Sequence, residues 1–418
     1  MLFMGGAATF FEFIDKAIND ELFVKEREYQ VNVNVYEMKT ISVPELAFDI
    51  AFEEAPDLEK ALRQYFIERE NALGMLLTRS ESLDAFSNLY ERYSVSKAVD
   101  LLVLEKQIQS RRQAGIDFRF DECDVALQLV SISFAAKDFV ELRVLESFAT
   151  VFNGVPDKLS SYAGVEHFFV FDKKGGNWQI KRHQSNSALS LYITGELRKL
   201  VAADGIPMSS LDAYAINDYV AQLRAVLDRD VYFYDATDET SNSDAVAISE
   251  DEPPLLLYYY DRNAATEYAR RFTHRERVRR NHDFMVFERN STNFTSQCLL
   301  SGGIPLNSRW SLDEGLTARE NFTNAAKFFD YIFSPKSHIY ATLCDYRDGE
   351  PGDIIQFIDG GGEAMFSALI TSVVYGNSSD DIEFLITANS EDFRNFPLSA
   401  LGFDIMRIIK IHGYFEDE

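Results

Sequence analysis

Apolar side chains recur at two different spacings along the first half of the chain, and each spacing predicts one kind of element. Spacings of three and four residues, which place side chains on one helix face, predict helices near the N-terminus. From Asp117 onward the spacing becomes two, which predicts β-strands. Helices followed by antiparallel strands form an α+β domain. The predicted helices cover 9–23, 57–77 and 83–112, and the predicted strands cover 29–36, 126–134, 139–152, 165–171 and 177–182.

The middle of the chain predicts two more helices and then a linker. Residues 188–203 and 211–227 show the helical spacing. The segment 235–254 is acidic, rich in serine and threonine, and ends in two prolines. Such a composition buries too little apolar surface to offset the loss of chain entropy. We therefore place a domain boundary there, and the predicted parts are 1–185, 186–254 and 255–418.

The last hairpin of the predicted sheet resembles a known fold. Residues 161–185 read SYAGVEHFFVFDKKGGNWQIKRHQS, in which a Lys-Lys-Gly-Gly turn joins two strands. The pattern is similar to the end of cystatin-like or nuclear-transport-factor-like curved-sheet domains. That resemblance implies a curved antiparallel sheet. His167 and Trp178 either line a pocket of this sheet or belong to its core and its face.

The charge of the chain argues against some partners. With 41 basic and 67 acidic side chains, the formal charge is −26 and the isoelectric point is about 4.6. Such a charge repels nucleic-acid phosphates and anionic lipid heads, so we expect no nucleic-acid partner. The basic cluster between Arg262 and Arg280 is interpreted as the solvated face of a helix.

The sequence also bears on the cellular compartment. Three cysteines cannot form a disulfide framework. No apolar run reaches the roughly 18 residues that a transmembrane helix needs. Residues 1–13 lack a basic start and Glu12 interrupts their apolar run, which makes them a poor signal peptide. These features favour a cytoplasmic protein without a transmembrane segment.

The C-terminal part begins with two predicted helices. Residues 260–280 have the helical spacing, with Asp261 as the N-cap. The second helix is capped by Asn290 or Ser291, turns Phe294 toward a core, and ends at a Gly-Gly pair. The residues alone thus predict a short buried helix with a polar N-terminus.

Five sequence blocks follow one another in this part. They are YDRNAA with YA from Tyr260, STNFTSQCLLSGGIP from Ser291, PGDIIQF from Pro351, FSALIT from Phe366 and ITANS from Ile386. Their content and order resemble the putative amidase domain of bacterial cell-wall-type hydrolases, a papain-like family of cysteine hydrolases. The resemblance implies a papain-like α+β domain, with Trp310 and a helix over 321–332 between the second and third blocks.

Three positions depart from the catalytic pattern of that family. Ser291 stands where the family has its nucleophilic cysteine, Phe366 where it has the histidine base, and Asn389 where the third polar group is usually histidine. A serine hydroxyl is a poor nucleophile unless a base accepts its proton, and a phenyl ring cannot do so. The resemblance therefore implies a catalytically degenerate site. Its candidate cleft residues are Asn290, Ser291, Asn293, Trp310, Phe366 and Asn389.

Other reactive residue types give no recognisable pattern. Cys298 and Cys344 lie in apolar surroundings and are interpreted as core thiols, and His282 and His338 as surface histidines. The acidic group at 380–383 lacks the glycine-punctuated loop of a calcium site and is interpreted as a solvated turn. We therefore expect neither a metal nor a cofactor.

Three functions fit these residues. The first is a degenerate amidase-like or peptidase-like protein that binds a peptide, a cell-wall fragment or a protein partner. The second is an active amidase or peptidase in which Ser291 receives a base from elsewhere in the chain. The third is a structural or immunity-type interaction protein whose N-terminal part supplies the working surface. The lack of an evident activator for Ser291 favours the first.

Overall fold

A computed structural model divides the chain into two compact units, each built from three stretches of sequence. Unit 1 comprises Met1–Ile108, Asp121–Glu146 and Val165–Asp228, and unit 2 comprises Gln109–Phe120, Ser147–Gly164 and Arg229–Glu418. The residues that the structure describes are 45–48, 56–76, 83–91, 94–136, 138–206, 215–227, 232–233, 257–273, 280–287, 289–376, 381–403 and 405–416.

Some predictions fall outside these residues. They are the helix over 9–23, the strand over 29–36 and the acidic linker over 235–254. The predicted domain boundaries stay a prediction. Within the described part of the chain, no helix combines the length and the apolar character that crossing a bilayer requires.

Unit 1 packs helices on a five-stranded sheet, which confirms the predicted α+β class. The strand order is β1-β2-β3-β4-β5, with β1 parallel to β2 and β5 antiparallel to β4. The period-two pattern arises because one face of β3 is buried and the other is partly exposed. The strands are β1 Glu45–Phe48, β2 Cys123–Ala136, β3 Phe139–Thr150, β4 Ser160–Lys174 and β5 Asn177–Ser185, and the helices are α1 Pro56–Met75, α2 Leu83–Ser87, α3 Val95–Gln113, α4 Ala188–Ala203 and α5 Ala215–Leu227.

The prediction of one helix over 83–112 is wrong, because the chain forms α2 and α3 with a break between them. At the break the backbone pairs with strand β5: Ile180 N–H donates to Leu89 O at 2.8 Å, and Glu91 N–H donates to Ile180 O at 3.0 Å. These tertiary hydrogen bonds replace the helical ones. The predicted helix over 188–203 is confirmed as α4, and the Ser187 hydroxyl caps it.

Unit 2 has helices against a mixed eight-stranded sheet. Its main path runs β12-β11-β10-β9-β13-β6, while β7 and β8 also pair with β13. The helices are α6 Arg262–Arg271, α7 Ser291–Ser301, α8 Leu316–Thr323 and α9 Ala325–Ile332, and the strands are β6 Tyr232–Phe233, β7 Leu257–Tyr259, β8 Ile339–Cys344, β9 Ile354–Ile358, β10 Ala364–Tyr375, β11 Ile382–Thr387, β12 Phe396–Pro397 and β13 Ile405–Phe415.

Helix α7 lies in the centre of unit 2. Its residues from Ser291 to Leu299 are all buried, including six polar ones. Phe294 and Cys298 join the hydrophobic core that α6, α8 and α9 surround. The helix ends at Gly302, as predicted, because the next residue, Gly303, has a φ of +96° that favours glycine.

A partly buried ion pair joins the start of α6 to two strands. Arg262 Nη1 donates to Asp353 Oδ1 at 2.7 Å, and Ile411 N–H of β13 donates to the same oxygen at 3.0 Å. Arg262 Nη2 also donates to Ile411 O, and Tyr260 OH donates to Gly352 O at 2.9 Å. Gly352 has a φ of +95°, and a Cβ there would lie 3.0 Å from Arg262 side-chain atoms. The first and third sequence blocks, which begin at Tyr260 and Pro351, therefore pack against each other.

Two of the helices predicted in unit 2 have the wrong length. The helix predicted over 260–280 ends at Arg271, with Phe272 as its C-cap. The helix predicted over 321–332 is split into α8 and α9, because the Asn324 side chain accepts a hydrogen bond from Lys327 N–H and starts a new helix. The N-cap role of Asp261 is confirmed.

The interpretation of the basic cluster as a solvated face is wrong for two of its arginines. Arg270 Nη2 donates to the backbone oxygen of Thr371. Arg280 Nη1 contacts both carboxylate oxygens of Asp392 at 2.6 and 2.9 Å, and Asp392 is fully buried. These guanidinium groups fix strand β10 and the loop after β11, because a buried acceptor binds a charged donor strongly.

His338, expected at the surface, is buried. Its Nδ1 lies 2.7 Å from Tyr331 OH and 3.0 Å from Asn307 Nδ2, and its Nε2 lies 2.7 Å from Pro305 O. Both ring nitrogens thus have partners, which compensates for their loss of water. His282 is exposed, as predicted.

Glu383, interpreted as part of a solvated turn, is also buried. The Ser399 hydroxyl donates to its Oε2 at 2.6 Å, and Ser399 N–H donates to its Oε1 at 3.1 Å. Burial raises the pKa of Glu383 from 4.5 to about 7, although these hydrogen bonds favour the charged form. The folded protein therefore binds a proton here that the unfolded chain releases.

This proton gives a testable pH dependence. Between pH 4.5 and about 7 the folded state holds more protons than the unfolded state, so the free energy of unfolding falls as the pH rises. Over this range we expect the free energy of unfolding of Glu383→Gln, which cannot titrate, to fall by about 3 kcal/mol less than that of the wild type. Chemical unfolding at several pH values measures the difference. Glu363→Gln, at an exposed site, is the matched control. Parallel pH profiles for wild type and Glu383→Gln would contradict the assignment.

Candidate functional site

The N-terminus of α7 contacts strand β10. Ser291 is the first residue of α7, and its Oγ accepts a hydrogen bond from Ser367 N–H at 3.3 Å. The next residue, Thr292, places its hydroxyl 3.0 Å from that of Ser367. Gln356 of β9 donates its side-chain N–H to Ser367 Oγ at 3.2 Å. All four side chains are buried, so hydroxyl and amide groups fill this point of contact.

Phe366 precedes Ser367 on β10 and is 5% exposed. Its ring lies 5.4 Å from that of Phe357 and 6.3 Å from that of Phe393, between ring centroids. The Phe393 ring in turn lies 5.2 Å from that of Phe396. An aromatic cluster therefore occupies the side of the site where the family resemblance places an imidazole.

Asn290 and Asn389 form a buried amide pair. Asn290 Nδ2 donates to Asn389 Oδ1 at 2.5 Å. Asn290 Oδ1 accepts from Phe287 N–H at 3.1 Å and from Asn293 Nδ2 at 2.8 Å. Asn389 Nδ2 donates to Phe272 O at 3.3 Å. Asn290 is the N-cap residue of α7, as expected, but its side chain makes no capping hydrogen bond, because its amide holds the loops around the helix start instead.

Five of the six candidate cleft residues therefore come together, namely Asn290, Ser291, Asn293, Phe366 and Asn389. The sixth, Trp310, lies in the hydrophobic core. Its ring is fully buried and lies 4.9 Å from that of Phe322 and 5.8 Å from that of His338. Its indole N–H has no hydrogen-bond partner among the described residues.

A small cavity of about 10 Å³ lies beside the amide pair, which is room for about one water molecule. At its mouth, Met285 and Val286 are 54% and 56% exposed. The lining residues are Phe272, Arg280, Asn281, Phe284, Met285, Val286, Asn290, Phe294, Gln297 and Asn389. The interior therefore has no room for a substrate side chain, but an exposed apolar edge adjoins it.

The Ser291 hydroxyl contacts no base among the residues that the structure describes. Among the described residues its hydrogen bond from Ser367 N–H is the one it makes, and there the hydroxyl oxygen accepts. The thiol of Cys298 lies deeper in the same helix, and burial raises its pKa well above the ordinary value. Burial likewise raises the pKa of Cys344 to about 12. A protonated thiol is a weak nucleophile, which agrees with the core role expected for both cysteines.

Metal ligands do not gather in the described part of the chain: it holds no group of three or more His, Cys, Asp or Glu side chains that could bind an ion. The residues at the site are amides, hydroxyls and aromatic rings. They can donate and accept hydrogen bonds, but their ordinary ionisation lies far from neutral pH.

Sequence reasoning missed two parts of the site. One is Ser367 with Gln356, which appear as polar residues inside otherwise apolar strands. Such an isolated polar residue in a buried strand is a usable signal, because it needs a partner. The other is the ion pair of Arg280 and Asp392, which are 112 residues apart and carry no common motif.

Comparison with known proteins supports the resemblance of the C-terminal segment. Residues 259–412 match the family model described as a putative amidase domain. This segment is therefore similar to that family. A search of curated proteins finds no match.

Three solved structures show weak similarity to the chain. A putative scytalone dehydratase from Novosphingobium aromaticivorans is 12% identical, covering 31% of this chain and 82% of its own, with a TM-score of 0.22. A putative aromatic ring hydroxylase from the same organism is 10% identical, covering 34% and 92%, with a TM-score of 0.22. A protein of Mycobacterium tuberculosis is 8% identical, covering 41% and 89%, also with a TM-score of 0.22. We base no argument on similarities at this level.

The amide pair gives a prediction about stability. We expect Asn290→Ala to lower the free energy of unfolding by about 2–4 kcal/mol, because it removes three hydrogen bonds: those that Asn290 Oδ1 accepts from Phe287 N–H and Asn293 Nδ2, and the one that Asn290 Nδ2 donates to Asn389 Oδ1. Denaturant unfolding measures the change. Asn321→Ala, which removes one exposed hydrogen bond to Arg309 O, is the matched control and should cost less than about 1 kcal/mol. An equal cost for both variants would contradict the role of the pair.

Proposed function

We propose that the C-terminal part is a catalytically inactive, papain-like relative of the amidases that binds a peptide or a peptide-containing cell-wall fragment. The match of residues 259–412 to the putative amidase family supports the ancestry. The replaced residues Ser291, Phe366 and Asn389 support the loss of chemistry, since they lie at the start of α7, on strand β10 and in the loop after strand β11, where Ser291 and Asn389 bind neighbours without a base.

The observation that carries this proposal is the hydrogen bonding of Ser291. A serine attacks an amide only when a neighbouring base accepts its proton at about 2.6–3.2 Å. In the described structure the Ser291 hydroxyl receives a hydrogen bond from a backbone N–H and contacts no ionisable side chain. A backbone N–H cannot accept a proton, so the hydroxyl stays protonated and unreactive.

The surroundings of Ser291 argue against replacing the base from nearby. The rings of Phe366, Phe357 and Phe393 fill the side of the site where the amidase family has its histidine base. The amide of Asn389 is engaged by Asn290 and by Phe272 O. Loss of nucleophile and base as a unit costs on the order of 10⁶ in kcat, which is why we favour binding over hydrolysis.

An exposed apolar edge supports the binding role. Met285 and Val286 stand at the mouth of the small cavity and are more than half exposed. Asn293 Nδ2 holds the backbone of this edge by donating to Met285 O at 2.8 Å. Asn281 Nδ2 donates to Tyr268 OH at 2.9 Å, which holds the start of the segment that leads to this edge. A fixed apolar edge beside polar amides suits a peptide, which offers apolar side chains and backbone groups together.

The loss of catalysis is tested by enzyme assay. We expect the wild type to release no product above the buffer background from short peptides or peptidoglycan fragments, because Ser291 lacks an activating base. Mass spectrometry of the reaction products over many hours measures this.

Ser291→Ala should behave like the wild type in the same assay. Ser301→Ala, at the exposed end of the same helix, serves as the matched control. Product formation that Ser291→Ala abolishes and Ser301→Ala preserves would overturn the proposal and establish an active amidase.

The binding role is tested separately by titration calorimetry with peptidoglycan-derived peptides. We expect Met285→Ser or Val286→Ser to weaken binding by about tenfold, since truncation of an anchor residue costs more than about 1 kcal/mol. Met75→Ser is the matched control, because Met75 is an exposed methionine of helix α1. Binding that both 285 and 286 variants leave unchanged would refute this surface.

A further inference from the structure

A chain of buried polar side chains crosses the interior of unit 1. His167 Nε2 lies 2.8 Å from Glu146 Oε2, His167 Nδ1 lies 2.9 Å from His183 Nε2, and His183 Nδ1 lies 2.7 Å from Asp100 Oδ2. Arg69 contacts both oxygens of Glu146 at one end, and Tyr90 OH donates to Asp100 Oδ2 at 2.5 Å at the other. All four ring nitrogens of the two histidines are thus used inside the protein.

The surrounding elements exclude water from this chain. Glu146, His167 and His183 lie on β3, β4 and β5, while Asp100 lies on α3. Their side chains are at most 9% exposed. The two imidazole rings stack with an interplanar angle of 14°, and the Phe169 ring lies 4.3 Å from that of His183. The hydrogen bonds must therefore be satisfied by the chain itself.

Counting hydrogens fixes the protonation of the chain. Each of its three links joins two atoms that can accept, so each link needs one hydrogen. Three links need three hydrogens, whereas two neutral imidazoles carry two. One extra proton therefore resides in the chain, because without it two lone pairs would face each other at less than 3 Å.

The neighbours of each group locate this proton. Burial alone would raise the pKa of Glu146, but Arg69 and His167 together hold it below its ordinary value, so Glu146 is an anion. Burial lowers the pKa of His167 to about 4, although Glu146 favours the charged form. His167 is then neutral, donates from Nε2 to Glu146, and accepts at Nδ1 from His183. At the last link the extra proton lies on His183 and not on Asp100. Carboxylic acids are stronger acids than imidazolium, and Tyr90 OH also donates to the Asp100 carboxylate.

We propose that His183 is a buried imidazolium ion between Asp100 and neutral His167, and that its proton completes the hydrogen-bonded link between the sheet and helix α3. The titratable and charged groups that face the chain are Tyr65, Arg69 and Glu70 of α1, Tyr90 after α2, Asp100 of α3, Cys123 of β2, Glu146 of β3 and His167 of β4.

Nuclear magnetic resonance of the full chain with ¹⁵N-labelled histidine tests the assignment without mutation. The measurement is made at about pH 7, where an unperturbed imidazole is mostly neutral. There we expect both ring nitrogens of His183 to show a one-bond coupling to hydrogen. In His167 we expect this coupling at Nε2 alone. Contacts of the ring protons with Phe169 and with Phe66, which lies 5.3 Å from His167, distinguish the two. An unprotonated ring nitrogen in His183 would overturn the proposal.

Two amide variants sharpen the test, because each supplies an N–H at one end of the chain. In Glu146→Gln the new N–H can donate to His167, so both imidazoles become neutral with the hydrogen on Nδ1. In Asp100→Asn the N–H can donate to His183, so both become neutral with the hydrogen on Nε2. The opposite tautomers are the expected result. Asp57→Asn, at a side chain that is 75% exposed, is the matched control and should leave the signals unchanged.

Discussion

The ion pair of Arg262 and the fully buried Asp353 connects the three elements of unit 2 beside which α7 packs. It fixes the first turn of α6 to the turn before β9 and to β13. Burial raises the pKa of Asp353, whereas Arg262 and two backbone N–H donors, those of Glu350 and Ile411, oppose this rise because they favour the charged form. Removing one partner of such a pair typically costs about 3–5 kcal/mol, whereas replacing both can cost little. The pair therefore determines how α6 packs on β9 and β13 more than it adds to the free energy of unfolding. With α6 fixed, α7 packs beside it and presents Ser291 to β10.

The sequence predicted elements well where local signals and tertiary contacts agree. It predicted them poorly where a distant strand competes for the backbone hydrogen bonds. Helix α4 follows its spacing and its Ser187 cap. The break between α2 and α3 was not predictable, because it depends on hydrogen bonds between residues 89–91 and Ile180. The burial of Glu383 and His338 was missed for the same reason. A single polar residue in a sequence gives no sign of whether a hydroxyl or a backbone oxygen will be placed beside it.

At the candidate site, sequence comparison located the residues, but their interactions needed three dimensions. The blocks around Ser291, Phe366 and Asn389 are separated by dozens of residues, and their order suggested a common site. Their new partners could not be inferred: Ser291 accepts from Ser367 N–H, and Asn389 accepts from Asn290. Trp310 follows the block of Ser291 in sequence, yet its large apolar ring is better accommodated in the core.

The two units solve the problem of buried polar groups in opposite ways, and the difference bears on what each can do. Around Ser291 the buried groups are hydroxyls and amides, whose hydrogens are fixed by the covalent structure at neutral pH. Such groups offer hydrogen-bond donors and acceptors whose positions do not change with protonation. Around His183 the buried groups are imidazoles and carboxylates, whose hydrogens are set by the number of links they must fill. That arrangement needs one proton more than neutral imidazoles carry, and because its atoms are enclosed, this proton contributes to the packing of unit 1 itself.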